Sequence, residues 1–290
     1  MTASHFIDMK IVRTVSEMQR TADDLRKTSK IGLVPTMGYL HEGHLTLVRA
    51  ARKIADVVVV SIFVNPIQFG PSEDLARYPR NFERDAKFLE QEKTDIVFYP
   101  DDGQMYEKDF STYVEAKKLE DHLCGKTRTG HFTGVATVVT KLFNIVKPHY
   151  AVFGQKDYQQ LVIIERMVRD LNIDVEIVPH PTVREADGLA MSSRNQYLST
   201  AERAVAAALH RTLLAMRAGA LAGQPRARVE AEADAMLRGA GFVPDYAVLR
   251  RPDFSEPTDG ESGPQVALIA ARLGRTRLID NLEFERTAAA

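Results

Sequence analysis

His41 and His44 stand three residues apart, with Gly43 between them, in the run Pro35-Thr36-Met37-Gly38-Tyr39-Leu40-His41-Glu42-Gly43-His44. Two imidazoles on one helical turn can face the same phosphate, and a glycine beside them lets backbone approach that ligand closely. The spacing alone is equally that of a solvated helix start. Metal binding is disfavoured, because no third ligand is near. Three other groups carry similar chemistry. Gly154-Gln155-Lys156-Asp157 places a lysine after a glycine; Met191-Ser192-Ser193-Arg194 offers two hydroxyls and a guanidinium, a natural set for phosphate oxygens unless the serines only cap a helix; Gln68 and Gln160 are neutral donors and acceptors.

The surrounding pattern indicates what positions them. An apolar run over 31–34 precedes the histidine loop, and Leu45, Val48, Ala51 and Ile54 recur after it at helical spacing. This reads as strand, loop and a helix over 43–55, with the histidines at the helix N-terminus. Unpaired N–H groups and the positive end of the macrodipole meet there and favour an anion. The β-branched run over 57–64 completes a βαβ unit and suits a strand covered on both faces, so the sheet is expected to be parallel with its site at the carboxyl ends. Gln68 follows in a loop punctuated by Pro66, Gly70 and Pro71, and the long polar connection to Arg80 is expected to be a mobile lid. Asp85, in a helix over 82–92, is a candidate metal ligand or a first-turn acid that complements the dipole.

Further along, a strand is expected over 95–99. The stretch 123–135, with three glycines, Lys126, Arg128 and His131 before a helix over 136–146, reads as turn punctuation or an anion-binding loop. A strand over 150–153 leads into the Lys156 turn. A lysine at a helix start opposes the dipole, so it is expected to serve an anion. A strand over 174–179 precedes Val183 and the Met191–Arg194 loop. Composition shifts near Ser199, whose spacing to Glu202 is a capping box. An alanine-rich helix to about 218, a helix over 226–239 and short strands over 243–249, 266–271 and 276–281 then form a compact α+β unit, with a mobile loop over 251–263 and a disordered alanine tail. A first helix runs from Ser16, read as its cap, to about Thr28. The fold class is therefore α/β: a Rossmann-like parallel sheet flanked by helices over 1–185, and a smaller C-terminal α+β domain over 186–290.

Lys and Arg number 38 against 39 Asp and Glu, so no basic field gathers nucleic acid or an anionic membrane. One cysteine, Cys124, excludes an internal disulfide framework and fits a reducing cytoplasm as a packing residue. Residues 1–8 lack the basic start and apolar core of a leader, and Met9 offers a second start point. The longest apolar run is too short to span a bilayer.

Pro35-Thr36-Met37-Gly38 through His41-Glu42-Gly43-His44 resembles the nucleotide signature of the adenylyl-transferring superfamily that includes class I aminoacyl-tRNA synthetases. With Cys124-Gly125, Arg128-x-Gly130-His131-Phe132-x-Gly134-Val135 and Ser192-Ser193-Arg194, the chain is similar over nearly its whole length to the pantoate–β-alanine ligases. The resemblance implies a cytoplasmic, homodimeric ligase that forms an acyl-adenylate from pantoate and ATP and passes the acyl group to β-alanine, with Mg²⁺ on the phosphates. It places Met37 to His44 on the nucleotide, with His44 at the proton-donor position and His41 beside it. Gly154, Gln155, Lys156, Asp157, Val183, Met191, Ser192, Ser193 and Arg194 would complete the ATP site, and Gln68 and Gln160 would hold pantoate. Two rivals share the phosphate cradle: a nucleotidylyltransferase, and a non-catalytic nucleotide-binding regulator that has no need of Gln68 and Gln160.

Overall fold

A computed structural model describes residues 9–71 and 73–287; the expectations for residues 1–8 and the alanine tail, and Ser72 of the expected lid, lie outside the described residues. In chain order the elements are β1 (Lys10–Val12), α1 (Val15–Leu25), β2 (Ile31–Thr36), α2 (Glu42–Ile54), β3 (Val57–Ile62), α3 (Phe82–Gln91), β4 (Ile96–Phe98), α4 (Asp102–Met105), α5 (Leu123–Thr127), α6 (His131–Val146), β5 (Tyr150–Gly154), α7 (Tyr158–Asp170), β6 (Glu176–His180), α8 (Thr200–Ala206), α9 (Ala208–Leu221), α10 (Arg226–Gly239), β7 (Val243–Arg250), β8 (Gly263–Leu273) and β9 (Thr276–Arg286). They fall into two compact units. Among the described residues, the first comprises those from 9 to 117 with 128–155 and 163–180; the second comprises 118–127, 156–162 and 181–287.

The first unit is a six-stranded sheet in the order β1-β4-β3-β2-β5-β6, parallel throughout. Val58, Val59 and Val60 are fully buried, as a central strand covered on both faces requires. Val34, Leu40, Val48, Ala51, Leu89, Val97 and Val152 pack into one core with Val58 and Val60, each burial worth about 1–3 kcal/mol. The chain reverses its direction of winding at β2, the central strand flanked by β3 and β5, and the loops after these strands are where an open parallel sheet binds ligands.

Local chemistry moved several boundaries. Thr14, not Ser16, caps α1, its Oγ1 accepting the Glu17 N–H at 3.3 Å; the Thr-x-x-Glu spacing competes with the one read from Ser16. α6 starts at His131, five residues before the expected start, because Gly130 takes a φ of 79° and supplies the break that a helix entry needs. β1 was not anticipated: a three-residue edge strand has no periodicity to detect. The single alanine-rich helix is two, α8 and α9, meeting at Ala207.

The second unit is built on the antiparallel sheet β7-β8-β9. Leu209, Leu213 and Met216 of α9 and Leu237 of α10 bury against Leu249, Ile269 and Leu278 of the strands. Ser199 and Glu202 form the expected capping box at α8. The 251–263 loop is laced by Arg251 to Glu261 and Arg226 to Glu256 ion pairs. Among the described residues no helix is long and apolar enough to cross a membrane.

Candidate active site

The histidine loop joins β2 to α2 and is held from behind. Gly38 and Tyr39 both take left-handed backbone, at φ of 79° and 50°, which for tyrosine is a strained conformation that its surroundings must enforce. Asp85 enforces it. Its carboxylate, on the first turn of α3 and 1% exposed, accepts the N–H of Tyr39 at 2.7 Å and of Leu40 at 2.8 Å. Arg84 completes the clasp by donating to the Leu40 carbonyl at 2.9 Å and lying over the Tyr39 ring. A Cβ on Gly38 would come within 3.1 Å of the Asp85 carboxylate, so the close approach needs glycine there. Burial pushes the Asp85 carboxyl above its ordinary value, and the two backbone donors and Arg84 only partly oppose this.

Beyond the loop, His41 is the N-cap of α2 and His44 lies on its first turn. Their rings are 4.0 Å apart. The His41 backbone N–H donates to Nδ1 of His44 at 3.3 Å, which leaves the proton of a neutral His44 on Nε2. Glu42 is paired with Arg49 on the same helix.

Gln68 lies in a single 3₁₀ turn, Pro66–Gln68, and is buried. Asn65 orients it. The Gly134 carbonyl can only accept, so it takes an Asn65 Nδ2 hydrogen at 3.0 Å; Asn65 Oδ1 then accepts from the Tyr106 hydroxyl at 2.7 Å, and Nδ2 also donates to Gln68 Oε1 at 3.0 Å. The Gln68 amide nitrogen is left facing the Met37 sulfur at 3.2 Å. Gly134 permits this packing, because a Cβ there would lie 2.5 Å from the Ile67 carbonyl oxygen. Asn65 and Tyr106 were missed at the sequence level. Asn65 sits one residue before a proline and reads as turn chemistry, and Tyr106 lies 41 residues away.

Arg128 and His131, read as part of an anion-binding loop, are engaged by protein groups. Arg128 forks onto Glu73 at 2.6 and 2.7 Å and donates to His131 Nε2 at 2.8 Å; His131 Nδ1 donates to the Gln68 carbonyl at 2.8 Å. Burial pushes the Glu73 carboxyl up, but the Arg128 guanidinium and the Gly70 N–H outweigh it and hold the group below its ordinary 4.5. A carboxyl so lowered stabilises the fold above its unfolded-state value and loses that contribution as pH falls through the folded-state value. Glu73→Gln is therefore expected to be less stable by about 1 kcal/mol at pH 6, typical of a partly exposed pair, and to lose less than the parent on acidification below 4.5. Urea titrations of both proteins at several pH values measure this, and parallel acid dependence would remove the pair's role.

A cavity of about 650 Å³ opens at the carboxyl end of the sheet, lined by Arg13 after β1, Met37 and Gly38 after β2, Phe63 and Val64 after β3, and Tyr99 after β4, with Asp85 at its wall. Its size is that of a small-molecule site.

Gly154 ends β5 and Gln155 opens the 3₁₀ turn after it, both in the first unit; Lys156, Asp157, Gln160, Val183 and Met191 to Arg194 belong to the second. There the Lys156 ammonium lies 3.8 Å from Asp157. Of the two adjacent glutamines, Gln159 is structural: buried, it donates to the Leu119 and His122 carbonyls at 2.9 and 2.8 Å and accepts the Cys124 N–H at 3.0 Å. Gln160 is half-buried. Val183 and Met191 are brought together, the Met191 N–H donating to the Val183 carbonyl at 2.9 Å, and the Ser192 hydroxyl accepts the Arg194 N–H at 3.2 Å. Lys126 is exposed on α5. Among the described residues no three His, Cys, Asp or Glu side chains gather to hold a metal ion, and Asp85 spends an oxygen on each of two backbone donors.

The pantoate–β-alanine ligase family profile matches residues 10–283. The pantothenate synthetase of Thermotoga petrophila is 54% identical over 276 residues, covering 94% of this chain and 99% of that protein. That of Xanthomonas oryzae pv. oryzae is 56% identical over 261 residues, covering 89% and 93%. Among solved structures, the pantothenate synthetase of Thermus thermophilus superposes with a TM-score of 0.89 at 47% identity, covering 94% of this chain and 99% of that one. The pantoate–β-alanine ligase of Francisella tularensis, complexed with β-γ ATP and β-alanine, gives a TM-score of 0.81 at 33% identity over 94% and 97%.

Proposed function

This chain belongs to the pantoate–β-alanine ligase family, and from that premise we infer that it condenses pantoate with β-alanine to give pantothenate, using ATP and releasing AMP and pyrophosphate. The pantoate carboxylate attacks the α-phosphorus and displaces pyrophosphate; the β-alanine amine then attacks the acyl carbon of the pantoyl-adenylate and AMP leaves. No covalent enzyme intermediate is needed, so the protein's work is positioning and charge stabilisation. The observation that carries the residue assignment is the clasped histidine loop, which presents a helix N-terminus and the Nε2 proton of His44 from a backbone fixed by Asp85.

In this reading Met37 to His44 hold the nucleotide, with His41 and His44 on its phosphates. Gly154 to Asp157, Val183 and Met191 to Arg194 supply the rest of the ATP site, Lys156 and Arg194 meeting the negative charge. Gln68 and Gln160 hold pantoate, whose hydroxyls an amide can orient without placing a charge beside the reacting carboxylate. Mg²⁺ would enter together with ATP. That ion would neutralise charge on the polyphosphate. By the same family resemblance the protein works as a cytoplasmic homodimer, with a domain over 1–185 carrying most of the ATP- and pantoate-binding residues and a smaller one over 186–290 carrying Met191 to Arg194.

The products test the reading. Labelled pyrophosphate is expected to exchange into ATP when pantoate and Mg²⁺ are present and β-alanine is absent, with pantothenate released once β-alanine is added. Exchange that ignores pantoate, or needs a nucleotide acceptor, would instead mark a nucleotidylyltransferase, and a regulator would turn over nothing.

A further inference from the structure

β9 alternates buried and half-buried residues from Thr276 until Asp280 and Asn281, two successive polar residues at 3% and 6% exposure. A strand on a half-covered sheet should turn one of any two neighbours outward. Here both are used. Asp280 receives the Arg184 guanidinium as a fork, at 2.6 and 3.0 Å, and accepts the Asn281 N–H at 2.8 Å. Arg184 also donates to the Gly188 carbonyl at 3.0 Å. It thereby pins a tight hairpin that is closed by the Arg184–Ala190 bridge and by the Met191 to Val183 hydrogen bond. The next residue, Asn281, donates from Nδ2 to the Lys156 carbonyl at 2.9 Å.

One strand thus holds both polypeptide segments that carry the second unit's anion-binding groups: the Lys156 turn through Asn281, and the hairpin leading into Met191–Arg194 through Asp280. A buried ion pair adds little net stability over an apolar replacement of the same shape, but its forked geometry fixes position. We propose that Asp280 and Asn281 are positioning residues of the nucleotide site, Asn281 setting the Lys156 turn and Asp280, through Arg184, setting the Val183 and Met191–Arg194 hairpin. This rests on the reading of Lys156 and Arg194 as ATP-facing groups.

Double-mutant cycles on the full-length chain test the wiring, with pantoate-dependent pyrophosphate exchange as readout and circular dichroism as the check on folding. Asn281→Ala is expected to lower kcat for exchange roughly tenfold or more, as a sub-ångström to 1 Å displacement of a positioned group does. In a Lys156→Ala background the same change is expected to have less than a twofold further effect. In an Arg194→Ala background it is expected to keep its full effect. If Asn281→Ala does not fold, Asn281→Leu, of similar size and without a donor, takes its place. Full additivity with Lys156→Ala, or an Asn281 variant with parental exchange, overturns the proposal. If Lys156→Ala itself leaves exchange untouched, the ATP-site reading fails instead, so the two failures are distinguishable.

Discussion

Alanine at position 44 is expected to slow pantoate-dependent pyrophosphate exchange roughly 30- to 1,000-fold, about 2–4 kcal/mol of barrier, the range for removing one preorganised transition-state donor. Its effect on the urea midpoint should be small, because the ring is half-buried and lies at the start of α2 rather than in its core. The structure sharpens this expectation. Nδ1 of His44 accepts from the His41 N–H, so the neutral ring carries its proton on Nε2. Glutamine carries an N–H at about that reach and asparagine does not. His44→Gln is expected to recover part of the lost rate and His44→Asn to resemble alanine. Exchange close to the parental rate in a folded His44→Ala protein would remove the residue from the chemistry, and equal activity of the Gln and Asn variants would refute the assignment of the working nitrogen.

The second large effect is expected at Asp85. Truncation to alanine leaves the Tyr39 and Leu40 N–H groups without their buried acceptor, and each such loss costs about 1–3 kcal/mol. Part of that is returned because burial already disfavours the carboxylate, as the raised pKa indicates. A net loss of about 2–4 kcal/mol in folding stability is expected for Asp85→Ala and about half for Asp85→Asn, which keeps one acceptor oxygen. Because those N–H groups belong to the loop that carries the histidines, the KM for ATP should rise in step with the stability loss. An alanine variant with parental stability and parental KM would show that the loop holds its left-handed backbone unaided.

The contrast between these two residues shows what the amino-acid string discloses. The place of His44 at a helix start was legible because its surroundings are local: an apolar strand before it, a helical stripe after it, glycine at its side. The parallel sheet was legible for the same reason, since a β-branched run such as Val57–Val60 with no polar alternation suits a strand covered on both faces. Asp85 was visible as a first-turn acid, but its task depends on a loop 45 and 46 residues earlier. Arg184 and Asp280 are 96 residues apart, and nothing in either neighbourhood announces the other. Gln159 and Gln160 are adjacent and chemically identical, and only burial separates the one that ties down backbone from its half-buried neighbour. Short elements fail differently: β1 has three residues, fewer than two periods of any pattern.

The amide chain from Tyr106 through Asn65 to Gln68 has a consequence for selectivity. A carbonyl at one end, Gly134, fixes the orientation of every link, so in the proposed pantoate site Gln68 would meet its ligand with hydrogens rather than with its oxygen. The partner it holds meanwhile is a thioether, a weak acceptor that yields readily to oxygen. On that proposal a hydroxy acid would find a donor already aimed and cost little to admit. An amino acid of the same skeleton would bring an ammonium against those hydrogens, and turning the amide to receive it would break the Asn65 bond and leave its buried Nδ2 short of a partner. If Gln68 holds pantoate as proposed, the site would favour an oxygen over a nitrogen at one carbon without a charged side chain, using an orientation fixed by groups far along the chain.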